Sequence, residues 1–319
     1  IRVERDGPFT SITMARPEQR NALSLEHLGE LLDAFRAVGA TDARGIVLAG
    51  DGPVFSAGHD FADLADAGHA SVRRMLAEAK AEIFAARAIA LACATAIDMQ
   101  TATGEEYWAR RAAFLTPITK AFGTETGVRV ADLGIQVHGG MGYVEETGAA
   151  QHYRDARILA IYEGTNGIQA ADLAGRKVLG DEGREIRRLI GELRELCAGM
   201  QGEEALTSIA TAVSAGVDQL EQGVDWLLEN AMSDPHLIGA ASFNLLMLSG
   251  TVLGGAYLAK SAAAAIADAS DTDAEFAQQK VATTAFYCAH VLPRAQAYLA
   301  AMTAEPAITM ALPAEAFLG

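Results

Sequence analysis

Two periodicities divide this chain. Near its start apolar and polar positions alternate by two: Ile1 to Glu4 and Thr10 to Met14 form such runs around the turn Asp6-Gly7-Pro8, which predicts a pair of β-strands. A period of 3.6 follows, with Leu25, Leu28, Leu32 and Phe35 recurring behind Ser24, whose hydroxyl suits a helix N-cap. The run Gly45 to Ala49 then reads as a buried strand. From about His69 onward the pattern is helical, rich in alanine and leucine, with glycine breaks near Gly104, Gly134 to Gly142, Gly180 and Gly202. Helical segments of this length joined by short breaks predict antiparallel helices packed as bundles. The change of pattern sets a boundary near residues 66 to 70. Ala65 to His69 is too short for a flexible linker, so the expectation is that the two parts touch or that one is incomplete.

Composition narrows the class. A chain of 319 residues, half of them apolar and 21% charged, can bury one large core or two modest ones. A net charge of -16 disfavours a nucleic-acid surface, which needs a basic face. The pairs Arg73/Arg74, Arg110/Arg111, Arg176/Lys177 and Arg187/Arg188 read as solvated helix faces. Cys93, Cys197 and Cys288 sit far apart inside apolar runs, the usage of reduced core cysteines in a cytoplasmic protein, and no metal-ligand spacing is present. The longest apolar stretch, Gly239 to Ala269, is interrupted by Ser242, Asn244, Ser249, Gly254, Gly255 and Lys260, and no basic-then-apolar signal pattern opens the chain. The expectation is a soluble, unexported chain without membrane contact.

Candidate chemistry gathers in two places. The first is Gln136-Val-His-Gly-Gly-Met-Gly-Tyr143, followed by Ile161-Tyr-Glu-Gly-Thr-Asn-Gly-Ile-Gln169. Glycines at the end of a helix allow close backbone approach and leave N–H groups open to phosphate or carbonyl oxygens. Taken alone, the run reads first as a helix-ending turn, and its spacing is not that of a dinucleotide fold. Glu163, likewise, reads alone as a surface carboxylate in a polar turn before a helix begun by Thr165 or Asn166.

Both motifs in this order, with Arg154-Asp-Ala-Arg157 between them, closely resemble the acyl-CoA dehydrogenase family from about His69 to Leu179. The remainder to Gly319 resembles the extra C-terminal helical domain of its larger members. The resemblance implies FAD as cofactor, an acyl-CoA thioester as substrate, and Glu163 as the base that takes the α-proton while the β-hydrogen leaves as hydride. It implies that the Glu163 N–H polarises the thioester carbonyl, and that Ile161 and Tyr162 help wall an apolar pocket. Gln136, Gly139 and Gly140 would contact the FAD of a neighbouring subunit, and Thr165 and Gly167 would lie in the flavin-contacting turn, so a homodimer completes each site. The electron-transfer partner is left open. The family's N-terminal helical domain, its middle β-domain and the first helix of its C-terminal bundle, with an arginine that meets FAD phosphates, have no counterpart in this chain.

The second place is Arg16-Pro17, Asn21-Ala-Leu23 and Phe55-Ser-Ala-Gly-His-Asp60, through which residues 1 to 68 resemble the opening of the crotonase (enoyl-CoA hydratase/isomerase) family. The resemblance implies an oxyanion loop at Ala57, Gly58, His59 and Asp60, with the His59 N–H as one of two donors to a thioester carbonyl. The crotonase acid/base carboxylates fall beyond the point where this sequence departs from the pattern.

The expected fold is mainly α: a small α/β fragment over 1–68, a three-long-helix remnant of an acyl-CoA dehydrogenase-like bundle over 69–179, and a helical extension over 180–319. Three strands cannot close a sheet, so exposed edges and an uncovered bundle face predict self-association or partner binding. The functional expectation is a flavin-dependent acyl-CoA dehydrogenase. The alternatives are an enoyl-CoA hydratase or isomerase, and a non-catalytic fusion that serves dimerisation or interaction.

Overall fold

The computed structural model describes residues 1–58, 60, 70–231, 233–234, 236–268 and 273–317. The first strands, β1 (Arg2–Asp6) and β2 (Phe9–Met14), pair antiparallel with Asp6 opposite Phe9, and Gly7 in left-handed geometry makes the turn between them. After a single 3-10 turn at Pro17–Gln19 comes α1 (Leu25–Gly39), which leads to β3 (Gly45–Gly50). Strand β3 runs parallel to β2, giving the order β1-β2-β3, as a helical crossover allows. The Ser24 hydroxyl accepts from the His27 N–H at 3.1 Å, the cap its position predicts.

The remaining elements are helical. They are α2 (Ala70–Thr103), α3 (Glu106–His138), α4 (Gly140–Tyr143), α5 (Ala149–Leu159) and α6 (Asn166–Ala171), the last continuing in π geometry over Asp172–Leu179. Then follow α7 (Arg184–Met200), α8 (Glu204–Asn230), α9 (Leu237–Ala267), α10 (Ala274–His290), α11 (Arg294–Met302) and α12 (Pro306–Thr309). These elements form two compact units: Ile1–Leu76 with Ala131–Asp155, and Ala77–Val130 with Ala156–Gly319.

In the first unit the core is small. Ile12, Ala34 and Val38 are buried, with Ile1, Leu31, Phe35 and Ala43 packed against them. The stripe that α1 buries is therefore not the one its leucines mark: His27, Ala34 and Val38 face inward, while Leu25 and Leu32 are 64% and 50% exposed. A helix laid on a three-stranded sheet buries the face that meets the strands, here with Leu31 and Phe35 packed beside it, and leaves Leu25 and Leu32 on its outer side. Strand β3 corrects the expectation of a buried strand in the same way. Ile46, Val47 and Leu48, which alternate between the two faces of this edge strand, are all exposed, so neither face of β3 is covered as the core face of β2 is.

In the helical unit a single core runs from Ala81 on α2 to Met302 on α11. Its axis is α9, which packs against α6, α7, α8, α10 and α11. By length and mean hydropathy (1.6) α9 could cross a membrane, but 72% of that window is buried inside the protein, where Leu245, Leu248, Val252 and Leu253 are fully enclosed. Two glycines make this density possible. A Cβ on Gly250 would lie 2.4 Å from the Phe122 ring, and one on Gly254 would lie 2.6 Å from the Tyr287 hydroxyl.

Charges inside this core are paired. Glu82, fully buried on α2, accepts from Arg129 at 2.7 Å and from Arg294 at 2.6 Å, joining α2, α3 and α11. Arg111 reaches Glu185 at 2.7 Å and grips both carboxylate oxygens of Glu192 at 2.8 Å, joining α3 to α7. Cys93, Cys197 and Cys288 are buried free thiols, as expected.

Candidate functional site

The turn that carries Glu163 starts where α5 runs out. The N–H groups of Ile161 and Tyr162 both return to the Ile158 carbonyl, at 2.9 and 3.2 Å, and Asn166 donates to the Ala160 carbonyl at 3.1 Å. Between them Glu163 (φ 55°) and Gly164 (φ 82°) are consecutive left-handed residues. Glycine takes that conformation freely, but a glutamate does not, so the surroundings must hold it.

Hydrogen bonds from Lys120, Asn166, Ile168 and Gln169 do so. Lys120 on α3 donates to the Gly164 carbonyl at 2.8 Å and to Asn166 Oδ1 at 2.9 Å. Asn166, 5% exposed, donates to Glu125 Oε1 at 2.8 Å and to Thr124 Oγ1 at 3.0 Å. The Thr165 hydroxyl accepts from the Ile168 N–H at 3.3 Å and caps α6, while Gln169 donates to the Glu163 carbonyl at 3.4 Å. Among the described residues the Glu163 N–H donates to no acceptor. Its side chain is exposed, as are Ile161 (47%) and Tyr162 (48%), which flank it without enclosing it. Neither Lys120 nor Asn166 was singled out by sequence reasoning. The one available signal was the placement of Asn166 within the turn motif, and nothing local marks a helical lysine as its partner.

The glycine segment belongs to the other unit. Helix α3 ends at His138, Gly139 turns left-handed (φ 62°), and Gly142 donates to the Gly139 carbonyl at 2.9 Å. Only at Gly142 is a side chain excluded by space, since its Cβ would lie 2.3 Å from the Ile135 carbonyl oxygen. Around Gly139 and Gly140 the space is open, and Gln136 beside them is exposed. These two glycines thus leave an accessible backbone against which a flat or phosphorylated group can lie.

FAD can be tested against this donor set. Gln136, Gly139 and Gly140, and separately Thr165 and Gly167, offer amide, hydroxyl and backbone groups that suit ring and sugar oxygens, with the Gly139 N–H already given to the Gln136 carbonyl at 3.1 Å and the Thr165 hydroxyl to the cap of α6. None carries a charge, so the pyrophosphate would need a cation from elsewhere.

The crotonase-like loop is folded against residues 20–23. Ala57 donates to the Arg20 carbonyl at 2.9 Å, Leu23 to the Gly58 carbonyl at 2.7 Å, and Asp60 to the Leu23 carbonyl at 3.2 Å. Gly58, left-handed at φ 85°, donates to the Ser56 hydroxyl at 3.1 Å. Asn21 is the hub. Fully buried and left-handed itself (φ 50°), it accepts from the Arg16 N–H at 2.9 Å and donates to the carbonyls of Asp51 and Val54 at 2.8 and 2.9 Å. Of the four loop positions, Ala57, Gly58 and Asp60 have therefore already committed their N–H groups, while His59 lies outside the described residues. A cavity of about 250 Å³ beside this loop is lined by Arg20, Ala57, Asp60, His138 and Thr147, among others, and Arg20 donates to the Thr147 carbonyl at 3.1 Å.

Comparison with known proteins gives three family matches, two of which overlap over residues 64–95. Residues 64–178 match the family model "Acyl-CoA dehydrogenase, C-terminal domain" and residues 189–313 match "Acetyl-CoA dehydrogenase C-terminal like". Residues 4–95 match "Enoyl-CoA hydratase/isomerase". A 3-methylmercaptopropionyl-CoA dehydrogenase of Ruegeria pomeroyi is 45% identical over 233 residues, covering 70% of this chain and 39% of the relative. A broad-specificity linear acyl-CoA dehydrogenase of Mycobacterium tuberculosis is 30% identical over 240 residues, again covering 70% and 39%. The chain thus spans about two fifths of the length of these curated relatives. An acyl-CoA dehydrogenase from Bacillus anthracis, solved with FAD, superposes with a TM-score of 0.57 at 22% identity, covering 72% of this chain and 41% of that one. A Caenorhabditis elegans ACDH-11 structure with C11-CoA gives the same TM-score at 21% identity, covering 67% and 35%. These two share the fold.

Proposed function

Since residues 64–178 and 189–313 of this chain carry the two C-terminal regions of the acyl-CoA dehydrogenase family, we propose that it supplies the base-bearing helical side of a flavin-dependent acyl-CoA dehydrogenase site. The observation that carries this reading is the left-handed Glu163-Gly164 turn, held by Lys120 and Asn166, which presents a carboxylate beside an uncommitted backbone N–H.

The Glu163 N–H donates to the thioester carbonyl oxygen, which draws electron density from the α-carbon and acidifies its C–H bond. The Glu163 carboxylate takes the α-proton. Substrate lying over the exposed Ile161 and Tyr162 excludes water from the carboxylate at the moment of transfer. Lys120 acts on the turn through the Gly164 carbonyl, and its role is to keep the carboxylate and the N–H pointing the same way. FAD, when bound, accepts the β-hydrogen as hydride. Thr165 and Gly167 are the residues we assign to the flavin-contacting turn beside Glu163, and Gln136, Gly139 and Gly140 to contact the FAD of a neighbouring subunit, so that a homodimer completes each site. Three reduced, buried cysteines support a cytoplasmic setting.

The test is the visible spectrum of the purified chain with added FAD, before and after anaerobic addition of acyl-CoA thioesters. The expected result is flavin absorbance that co-elutes with protein and bleaches with substrate. Glu163→Gln should keep any flavin and lose the bleaching, and undiminished bleaching in that variant would remove Glu163 from the role of base. Light scattering after size exclusion tests the dimer, and a clean monomer at micromolar concentration would refute it.

A further inference from the structure

A cavity of about 310 Å³ lies wholly inside the helical unit, and no residue of the Glu163 turn lines it. Its volume is that of a small-molecule site. The floor is apolar: Leu115, Leu189 and Leu193 are 1%, 1% and 3% exposed. One wall is aromatic, with Tyr107 and Trp108 edge to face at 4.6 Å between ring centres. Arg111 and Glu192 also line the cavity, and there the charges answer one another. Arg111 is held by Glu185 and by both oxygens of Glu192, the Tyr107 hydroxyl donates to Glu192 at 3.2 Å, and the Arg188 guanidinium lies over the Tyr107 ring at 4.2 Å.

The opposite wall is different. Tyr257 and Lys260, three residues apart on α9, lie on one helix face and both line the cavity. Neither the Tyr257 hydroxyl nor the Lys260 ammonium pairs with another described residue. Burial pushes the Tyr257 hydroxyl up to about 12, so it is a proton donor at neutral pH. The cavity therefore offers one uncompensated positive charge, one neutral donor beside it, and an aliphatic and aromatic bed.

We propose that this cavity binds an amphipathic monocarboxylate, such as a medium-chain aliphatic acid, with the carboxylate on Lys260 and Tyr257 and the chain over the leucine floor. A cation would meet Lys260, a multiply charged phosphate would meet Glu192, and a thioester lacks the oxygen anion that Lys260 neutralises.

Isothermal titration of the full chain with sodium octanoate tests this, with octanamide and octanoyl-CoA as comparison ligands. The expected outcome is saturable one-to-one binding of octanoate, at least about tenfold weaker for octanamide and in Lys260→Gln, and recovered in Lys260→Arg. Because Lys260 is exposed on its helix, the variant keeps the fold, which unchanged circular dichroism verifies. Absence of saturable heat at millimolar octanoate, equal affinity for the amide or the thioester, or unchanged binding in Lys260→Gln would each overturn the proposal. None of these readouts needs flavin or turnover, so the dehydrogenase reading can fail without this one failing.

Discussion

The two compact units solve the same folding problem to different depths. In the helical unit the buried set extends through eight helices, α2, α3 and α6 to α11, and even charged residues, Glu82 and Arg111, find partners inside it. In the first unit the buried apolar cluster is Ile12, Ala34 and Val38, shared by β2 and α1, and the apolar side chains of β3 are exposed. Yet the first unit has the denser loop chemistry. Asn21 alone ties residues 16, 51 and 54 together. Core area and loop order are thus separable: hydrogen bonds between buried backbone groups can specify a loop where little apolar surface is available to stabilise the layer beneath it.

The contrast can be broken most strongly in the helical core. Phe122→Ala empties a site where the ring touches Gly250, and it should cost about 3–5 kcal/mol, read as a lower midpoint in urea unfolding followed by circular dichroism. A cost below about 1 kcal/mol would mean that this core relaxes freely around lost volume.

In the first unit the corresponding point is polar. Asn21→Ala strands the Arg16 N–H and the carbonyls of Asp51 and Val54, and it should cost about 1–3 kcal/mol. Hydrogen exchange should speed up at residues 20–23 and 57–60, leaving α9 protected. Uniform acceleration through both units would show that they unfold together.

A pH effect sharpens the comparison further. His27 is fully buried on α1 with neither ring nitrogen hydrogen-bonded, although Glu30 Oε2 lies 3.8 Å from Nδ1. Burial first, and Arg16 second, hold its pKa below the ordinary 6.5, against the weaker opposing pull of Glu30 and Glu26. The unfolded chain therefore takes up the proton before the folded one. Stability of the first unit should be complete above pH 6.5 and fall as the pH drops below it, as exchange rates along α1 at pH 7.5 and 5.5 would report. His27→Leu should flatten that dependence, and an unaltered dependence would assign it to another group.

The smallest effect is expected at Leu32. Half exposed on the outer face of α1, it should change stability by no more than about 0.5 kcal/mol on replacement by alanine. A loss of several times that would mean the outer leucines of α1 pack against something in solution, most simply a second copy of the chain.

Much of this architecture was legible in the residue order. Alternation placed β1 and β2, Ser24 and Thr165 marked their helix starts, glycines marked where long helices stop, and the isolated cysteines were core residues. Each of these depends on interactions within a few residues. The misreadings lie where distance along the chain is large. The leucine spacing of α1 describes a stripe but not the layer it will meet, and the apolar run of β3 describes a strand but not whether a further layer will cover it.

At the candidate sites the same division holds. The order of residues by itself determined that Glu163 stands before a glycine in a turn, and that Gly58 opens a loop, because both rest on the left-handed freedom of single glycines. Tertiary structure alone decided that Lys120, more than forty positions earlier, clamps the Glu163 turn, and that residues 20–23 occupy the N–H groups of Ala57 and Asp60. Those bonds form only when separate stretches of chain are brought within 3 Å or so, and that proximity follows from how helices and strands pack rather than from any local pattern.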